Sequence, residues 1–216
     1  TQYTSSAASD VYKRQGVHYH VSNVSTKETV EVIKRAKLNG IKITCDTSPP
    51  YFSLNELELS TYDTSFKLSP PLRNEEDRIA IQNAIFDDTI DVITSDHKPM
   101  SNDTKILPFT SASTGASGIE TLLPLTLNLL NKSDVTIMNI LKKITLNPSK
   151  LLKVEIPKIK SNEKANFIIF DPNEQYLINK DLLQTSPTPF HGRPVQGKIY
   201  MSMMNGEIVF DNLVLL

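Results

Sequence analysis

The residues with the strongest capacity for chemistry stand together in Asp91-Val92-Ile93-Thr94-Ser95-Asp96-His97-Lys98-Pro99-Met100. The β-branched run reads as a buried strand, and it stops at an acid, a histidine and Pro99, which cannot continue a sheet. In a parallel α/β barrel the catalytic side chains sit where strands give way to loops, so Asp96 is a candidate ligand or proton carrier. The competing reading makes Asp96 a turn cap and His97 a surface histidine. A second stretch, Thr110 to Gly118, is a run of small residues. Gly115 and Gly118 allow close backbone approach, so this loop either presents amide groups to an anionic or amide-bearing ligand or simply connects two elements.

The elements that must position these residues follow from periodicity. Val17 to Val24 alternates as a strand, and Ser25-Thr26-Lys27-Glu28 has the spacing of a capping box. Val30, Ile33 and Lys37, with Val32 and Ala36 beside them, form a helical stripe that ends at Asn39-Gly40. Ile41 to Thr44 is the next strand, and strand, helix and strand over so short a span make a βαβ unit. Asp46 to Pro71 is irregular, with a short strand expected at Phe66-Lys67-Leu68. Asn74 caps a helix through Phe86, with Ile79, Gln82, Ile85 and Phe86 as its expected buried face and Glu75, Glu76 and Asp77 in its first turn. Further helices are expected from Ile119 to near Asn131, from Thr136 to Ile144, and from Asn147 to Leu152.

From Lys153 the pattern changes. Phe167 to Phe170 and Ile199 to Met203 read as strands, and Asn205-Gly206 before Glu207-Ile208-Val209-Phe210 is a strong hairpin signal. The expected organisation is therefore a barrel segment over 16–152 and an accessory β unit over 153–216. Residues 1–15 are polar and aperiodic, resemble translated adapter sequence, and are expected to be unstructured. On that reading the chain begins within a domain.

Composition narrows the function classes. With 39% hydrophobic and 22% charged residues the chain has an ordinary globular balance. Its 23 basic and 24 acidic residues nearly cancel, so no global field favours nucleic acid or an anionic membrane. A lone cysteine, Cys45, precludes an internal disulfide and a multi-cysteine zinc site, and suits a reducing cytoplasm. No apolar run approaches the roughly 18 residues of a membrane span.

Several stretches, taken in order, resemble the dihydroorotases of the cyclic amidohydrolase superfamily. They are His18-Tyr19-His20-Val21-Ser22-Asn23-Val24-Ser25-Thr26, Lys67-Leu68-Ser69-Pro70-Pro71-Leu72-Arg73 and Ile93-Thr94-Ser95-Asp96-His97-Lys98-Pro99. Gly118-Ile119-Glu120-Thr121, Asn147-Pro148-Ser149-Lys150 and Ala165-Asn166-Phe167-Ile168-Ile169-Phe170-Asp171 continue the match. A hydantoinase or allantoinase also fits the barrel but accounts less well for the Pro-Pro-Leu-Arg and Asp-His-Lys-Pro stretches.

The resemblance implies an α/β fold, the C-terminal part of a (β/α)8 metal-dependent hydrolase barrel. It implies reversible closure of N-carbamoyl-L-aspartate to dihydroorotate in pyrimidine biosynthesis, with zinc as the cofactor. Asp96 then carries both catalytic and metal-ligand roles, shuttling the proton between water and the leaving nitrogen. Asn23 stands at a family histidine-ligand position, and an amide is a far weaker zinc ligand than imidazole. Ser69 and Met100 stand at substrate-binding positions, Ser69 for an asparagine and Met100 for a histidine, while Thr114 and Gly115 match backbone contacts to substrate. His18 and His20 are read as structural or solvent-facing, and Arg73 as a substrate-side residue or the partner of a helical acid such as Asp77. The other family ligands belong upstream of Gly16, so this chain alone is expected to be inactive. Implied partners are the small-molecule substrate and, for a catalytically silent relative, aspartate transcarbamoylase. A homo-oligomer is compatible with the sequence.

Overall fold

The computed structural model describes residues 17–132, 135–179 and 187–212. They fall into two compact units, one running to Ile119 and including 187–189, the other formed by the remaining residues from Glu120 onward. The division lies inside the stretch 16–152 that the sequence assigns to one segment, and the expected unstructured segment 1–15 lies outside the described residues.

In the first unit β1 (Tyr19–Val21), β2 (Ile43–Thr47) and β3 (Val92–Ile93) form a parallel sheet in that order, with Tyr19 opposite Ile43 and Asp46 opposite Val92. Helix α1 (Lys27–Leu38) makes the crossover from β1 to β2. Its cap is Thr26, whose hydroxyl accepts from the Thr29 N–H at 3.3 Å, one residue beyond the expected Ser25 box. Val30 and Ile33 are buried as expected, and Gly40 takes the left-handed position at φ 72°. Lys37, expected in the stripe, sends its ammonium past the apolar face to both Asp91 oxygens and the Thr89 carbonyl, each at 2.8 Å. That contact ties the end of α1 to the start of β3.

Between β2 and the next long helix, Pro49 and Pro50 open a short helix α2 (Pro49–Ser53), where Pro is tolerated in the first turn, and it buries Tyr51 and Phe52. The expected strand at Phe66–Leu68 does not form. Asp63 Oδ1 accepts from Ser65 N at 2.8 Å and closes a 3-10 turn over Thr64–Phe66, so a local side-chain bond wins over strand pairing. Helix α3 (Glu75–Phe86) is capped by Asn74, which accepts from Asp77 N at 2.9 Å. Its buried face centres on Ile81 and Ile85, one turn apart, which leaves the expected Ile79 exposed. Ile33, Cys45, Phe52, Ile81, Ile85 and Ile93 form the core, and burying each large apolar side chain contributes about 1.5–3 kcal/mol. A short helix α4 (Asn102–Lys105) follows β3.

The second unit carries α5 (Ile119–Leu127) from Glu120 onward, then α6 (Ile137–Ile144) and α7 (Leu146–Leu152). An antiparallel sheet of β4 (Phe167–Leu177), β5 (Pro194–Met204) and β6 (Glu207–Asp211) completes it. The Asn205-Gly206 turn places both residues at positive φ, 53° and 89°, as a tight hairpin requires. Bulges let β4 run longer than the expected four residues.

Candidate functional site at the ends of the parallel strands

The site is built where β1, β2 and β3 end. After β3, Thr94 N still bonds Thr47 O at 2.9 Å, and the chain then turns through Asp96 at φ 45°. A non-glycine residue in the left-handed region is uncommon and persists where its surroundings hold it. Here the holder is the segment 115–118. Lys98 N donates to Ala116 O at 2.9 Å, and a Cβ on Gly118 would lie 2.2 Å from Ser95 O, so only glycine lets the two backbones meet.

His97 is not a free surface histidine. Its Nδ1 accepts from Gly118 N at 3.2 Å and Ile119 N at 3.3 Å, with Ser117 Oγ at 3.5 Å. The ring therefore caps the start of α5 and carries its proton on Nε2 in this arrangement. His97 thus locks the loop behind Asp96.

Asp96 exposes 11% of its side chain. Its Oδ1 receives two donors, the Asn23 amide Nδ2 at 3.2 Å and the Lys98 ammonium at 2.9 Å. Among the described residues no donor reaches Oδ2. The charge of Asp96 is also felt by Tyr51, whose phenol is pushed up, first by burial and then by Asp96, with Arg73 opposing. Tyr51 accordingly stays a donor, to Pro70 O at 2.9 Å.

Asn23 is positioned by a residue that sequence reasoning missed, Asp46 on β2. Asn23 turns at φ 55°, and its N–H donates to Asp46 Oδ1 at 2.8 Å. Asp46 Oδ2 is 2.8 Å from His20 Nε2 and accepts from Ser22 Oγ at 3.0 Å. His20 Nδ1 lies 2.8 Å from Thr44 Oγ1, so the structural reading of His20 acquires a specific content: it orients an acid. Burial pushes the Asp46 carboxyl up, but the bonds from His20, Asn23 and Ser22 outweigh it and hold the group below the usual carboxylate value. The missed signal was the one applied to Asp96, an acid at the C-terminal end of a parallel strand.

The remaining candidates divide. Met100 and Gly115 meet, the Met100 methyl lying 3.1 Å from where a Gly115 Cβ would be. The Gly115 N–H donates to Lys67 O at 2.9 Å. Lys67 Nζ in turn gathers the carbonyls of Phe109, Thr110 and Ala112 at 2.7–2.9 Å, fixing the loop whose conformation the sequence left open. Thr114 is half-buried and Ser69 is exposed. Arg73 does not pair with Asp77, whose carboxylate accepts from Lys27 N at 2.8 Å and whose own N–H donates to Asn74 Oδ1 at 2.9 Å. Its Nε is buried with no hydrogen-bond partner among the described residues.

Zinc, the metal implied by the resemblance, does not fit these residues. Among the described residues no group of three His, Cys, Asp or Glu side chains is disposed to hold a metal. The amide at Asn23 turns its NH2, a donor, toward Asp96.

The amidohydrolase family model matches residues 1–209. Curated relatives include the dihydroorotase of Anaplasma phagocytophilum, 36% identical over 197 residues, covering 90% of this chain and 44% of that protein. The dihydroorotase of Acetivibrio thermocellus is 37% identical over 203 residues, covering 93% and 48%. Among solved structures, the L-hydantoinase of Arthrobacter aurescens superposes with a TM-score of 0.87 at 25% identity, covering 97% of this chain and 48% of that one. The chain spans about half the length of the relatives it matches. With a family match over nearly its whole length and an acid presented at the end of a parallel strand, this chain belongs to the amidohydrolase family.

Proposed function

We propose that the protein containing this chain is a dihydroorotase-type cyclic amidohydrolase, interconverting dihydroorotate and N-carbamoyl-L-aspartate in pyrimidine biosynthesis. The parallel sheet of the first unit is then the C-terminal part of a (β/α)8 barrel, and the antiparallel sheet its accessory unit. The observation that carries the reading is Asp96, held at the end of β3 by Asn23 and Lys98 through one oxygen while the other is left without a donor among the described residues. It is supported by the identity of more than a third to proteins named dihydroorotase.

In ring opening, a C–O bond forms between water and the ring amide carbon, and the C–N bond breaks. Asp96 accepts the proton that water loses and returns it to the departing nitrogen, so the carboxylate ends as it began. Met100 and Gly115 form an apolar contact against the loop after Asp96, and Lys67 holds that loop in place. No step is routed through a metal, because the residues present do not fit one. A small-molecule substrate suits a site flanked by both a cation and an acid. Among the described residues no helix is long and apolar enough to cross a membrane, and the buried Cys45 suits the cytoplasm.

A second reading is a catalytically silent subunit that assembles with aspartate transcarbamoylase. The substitutions at positions 23, 69 and 100, each away from the residue the family resemblance expects there, favour it. Ring opening of dihydroorotate by the full-length protein, followed chromatographically with Asp96→Asn as control, separates the two. Turnover that depends on Asp96 supports the enzyme, and a protein without turnover that co-elutes with the transcarbamoylase supports the subunit.

A further inference from the structure

We propose that Lys98 is a built-in counter-cation that takes, at Asp96, the electrostatic place of a divalent metal and weakens metal binding at this carboxylate. The inference rests on the family assignment of Asp96 as a ligand position and on contacts that no family role assigns to Lys98.

Both donors fall on the same oxygen. Lys98 Nζ at 2.9 Å and Asn23 Nδ2 at 3.2 Å occupy Asp96 Oδ1. A carboxylate-bound zinc sits about 2.0–2.2 Å from its oxygen. On Oδ1 it would displace one of these donors or crowd the ammonium, a like charge, to within about 5 Å. The amide makes the exclusion worse. Turning the Asn23 oxygen toward a metal would swing its NH2 away from Asp96 and break the bond that now satisfies both groups.

Lys98 is 46% exposed, and an ordinary surface lysine at that exposure would count for little. Its stem is not free, however. The Lys98 N–H bonds Ala116 O at 2.9 Å, and its Cβ lies 2.9 Å from where a Gly115 Cβ would stand. Pro99 restricts the Lys98 backbone to extended conformations. The backbone therefore delivers the side chain to Asp96, and Gly115 is the residue that leaves room for it.

The test is titration of the full-length protein with Co2+, by calorimetry and visible absorption, for wild type, Lys98→Met, Lys98→Gln and Lys98→Arg, each checked for native circular dichroism. Both neutral variants are expected to bind Co2+ about tenfold or more tightly than wild type, from removal of a unit charge near a divalent ion, and the arginine variant to match wild type. Tightening of less than threefold in the folded neutral variants, or no binding by either, overturns the proposal. The readout is affinity, so loss of the dihydroorotase reading through absent turnover leaves this result independently interpretable.

Discussion

Replacing Asp46 by alanine tests the part of the site on which Asn23, and through it Asp96, depends. The carboxylate exposes 6% of its side chain and receives His20, Ser22 and the Asn23 N–H at 2.8–3.0 Å. Removing the acceptor strands the Asn23 N–H, which costs about 1–3 kcal/mol. Loss of the bonds from His20 and Ser22 adds about 0.5–1.5 kcal/mol for each. The expected loss is therefore on the order of 3 kcal/mol, a large part of a typical domain's 5–15 kcal/mol. Urea unfolding followed by circular dichroism reads it directly. The pH dependence adds a sign. Asp46 has a folded value below its unfolded one, so its contribution is fully present above the unfolded carboxylate value of about 3.9 and is lost as pH falls through the lower folded value. The gap between wild type and Asp46→Ala is expected to hold from pH 7 to 5 and to close in stronger acid. A loss below about 1 kcal/mol at pH 7, or a gap that widens in acid, refutes the assignment of Asp46 as the anchor of this corner.

Two further outcomes follow from packing. Gly118→Ala places a Cβ 2.2 Å from the Ser95 carbonyl oxygen, backbone against backbone, and is expected to lower stability by about 1–3 kcal/mol; an unchanged thermal midpoint contradicts it. Cys45 is fully buried, and burial, then the nearby Asp91 charge, pushes its thiol up to about 12. It is expected to resist disulfide reagents at pH 8 until the protein is unfolded, and rapid labelling of the native protein would count against this core.

The sequence made Asp96 visible because a β-branched run ending in an acid and a proline has few readings. Asp46 was hidden because Ile43-Thr44-Cys45-Asp46-Thr47 extends the strand beyond its expected end at Thr44, so the acid fell into the following loop. His97 was ambiguous, and Lys98 drew no reading at all, for another reason. Their roles come from a segment some twenty residues later, which reaches Ser95 and Lys98 only because residues 115 and 118 are glycine. The longer helices were legible from caps and periodicity, whereas the short α2 and α4 and the turn at Thr64–Phe66 were not, the last because a single Asp63 bond decided it. The division after Ile119 carries no composition signal, because α5 begins there without a break in the chain's pattern.

The central claim, that Asp96 carries the proton in cyclic amide chemistry, is tested most directly by dihydroorotate ring opening in the full-length protein before and after Asp96→Asn. The account predicts measurable turnover that falls by about a hundredfold or more, the scale of a lost general acid–base, with the variant still folded. Turnover that survives Asp96→Asn unchanged would contradict it.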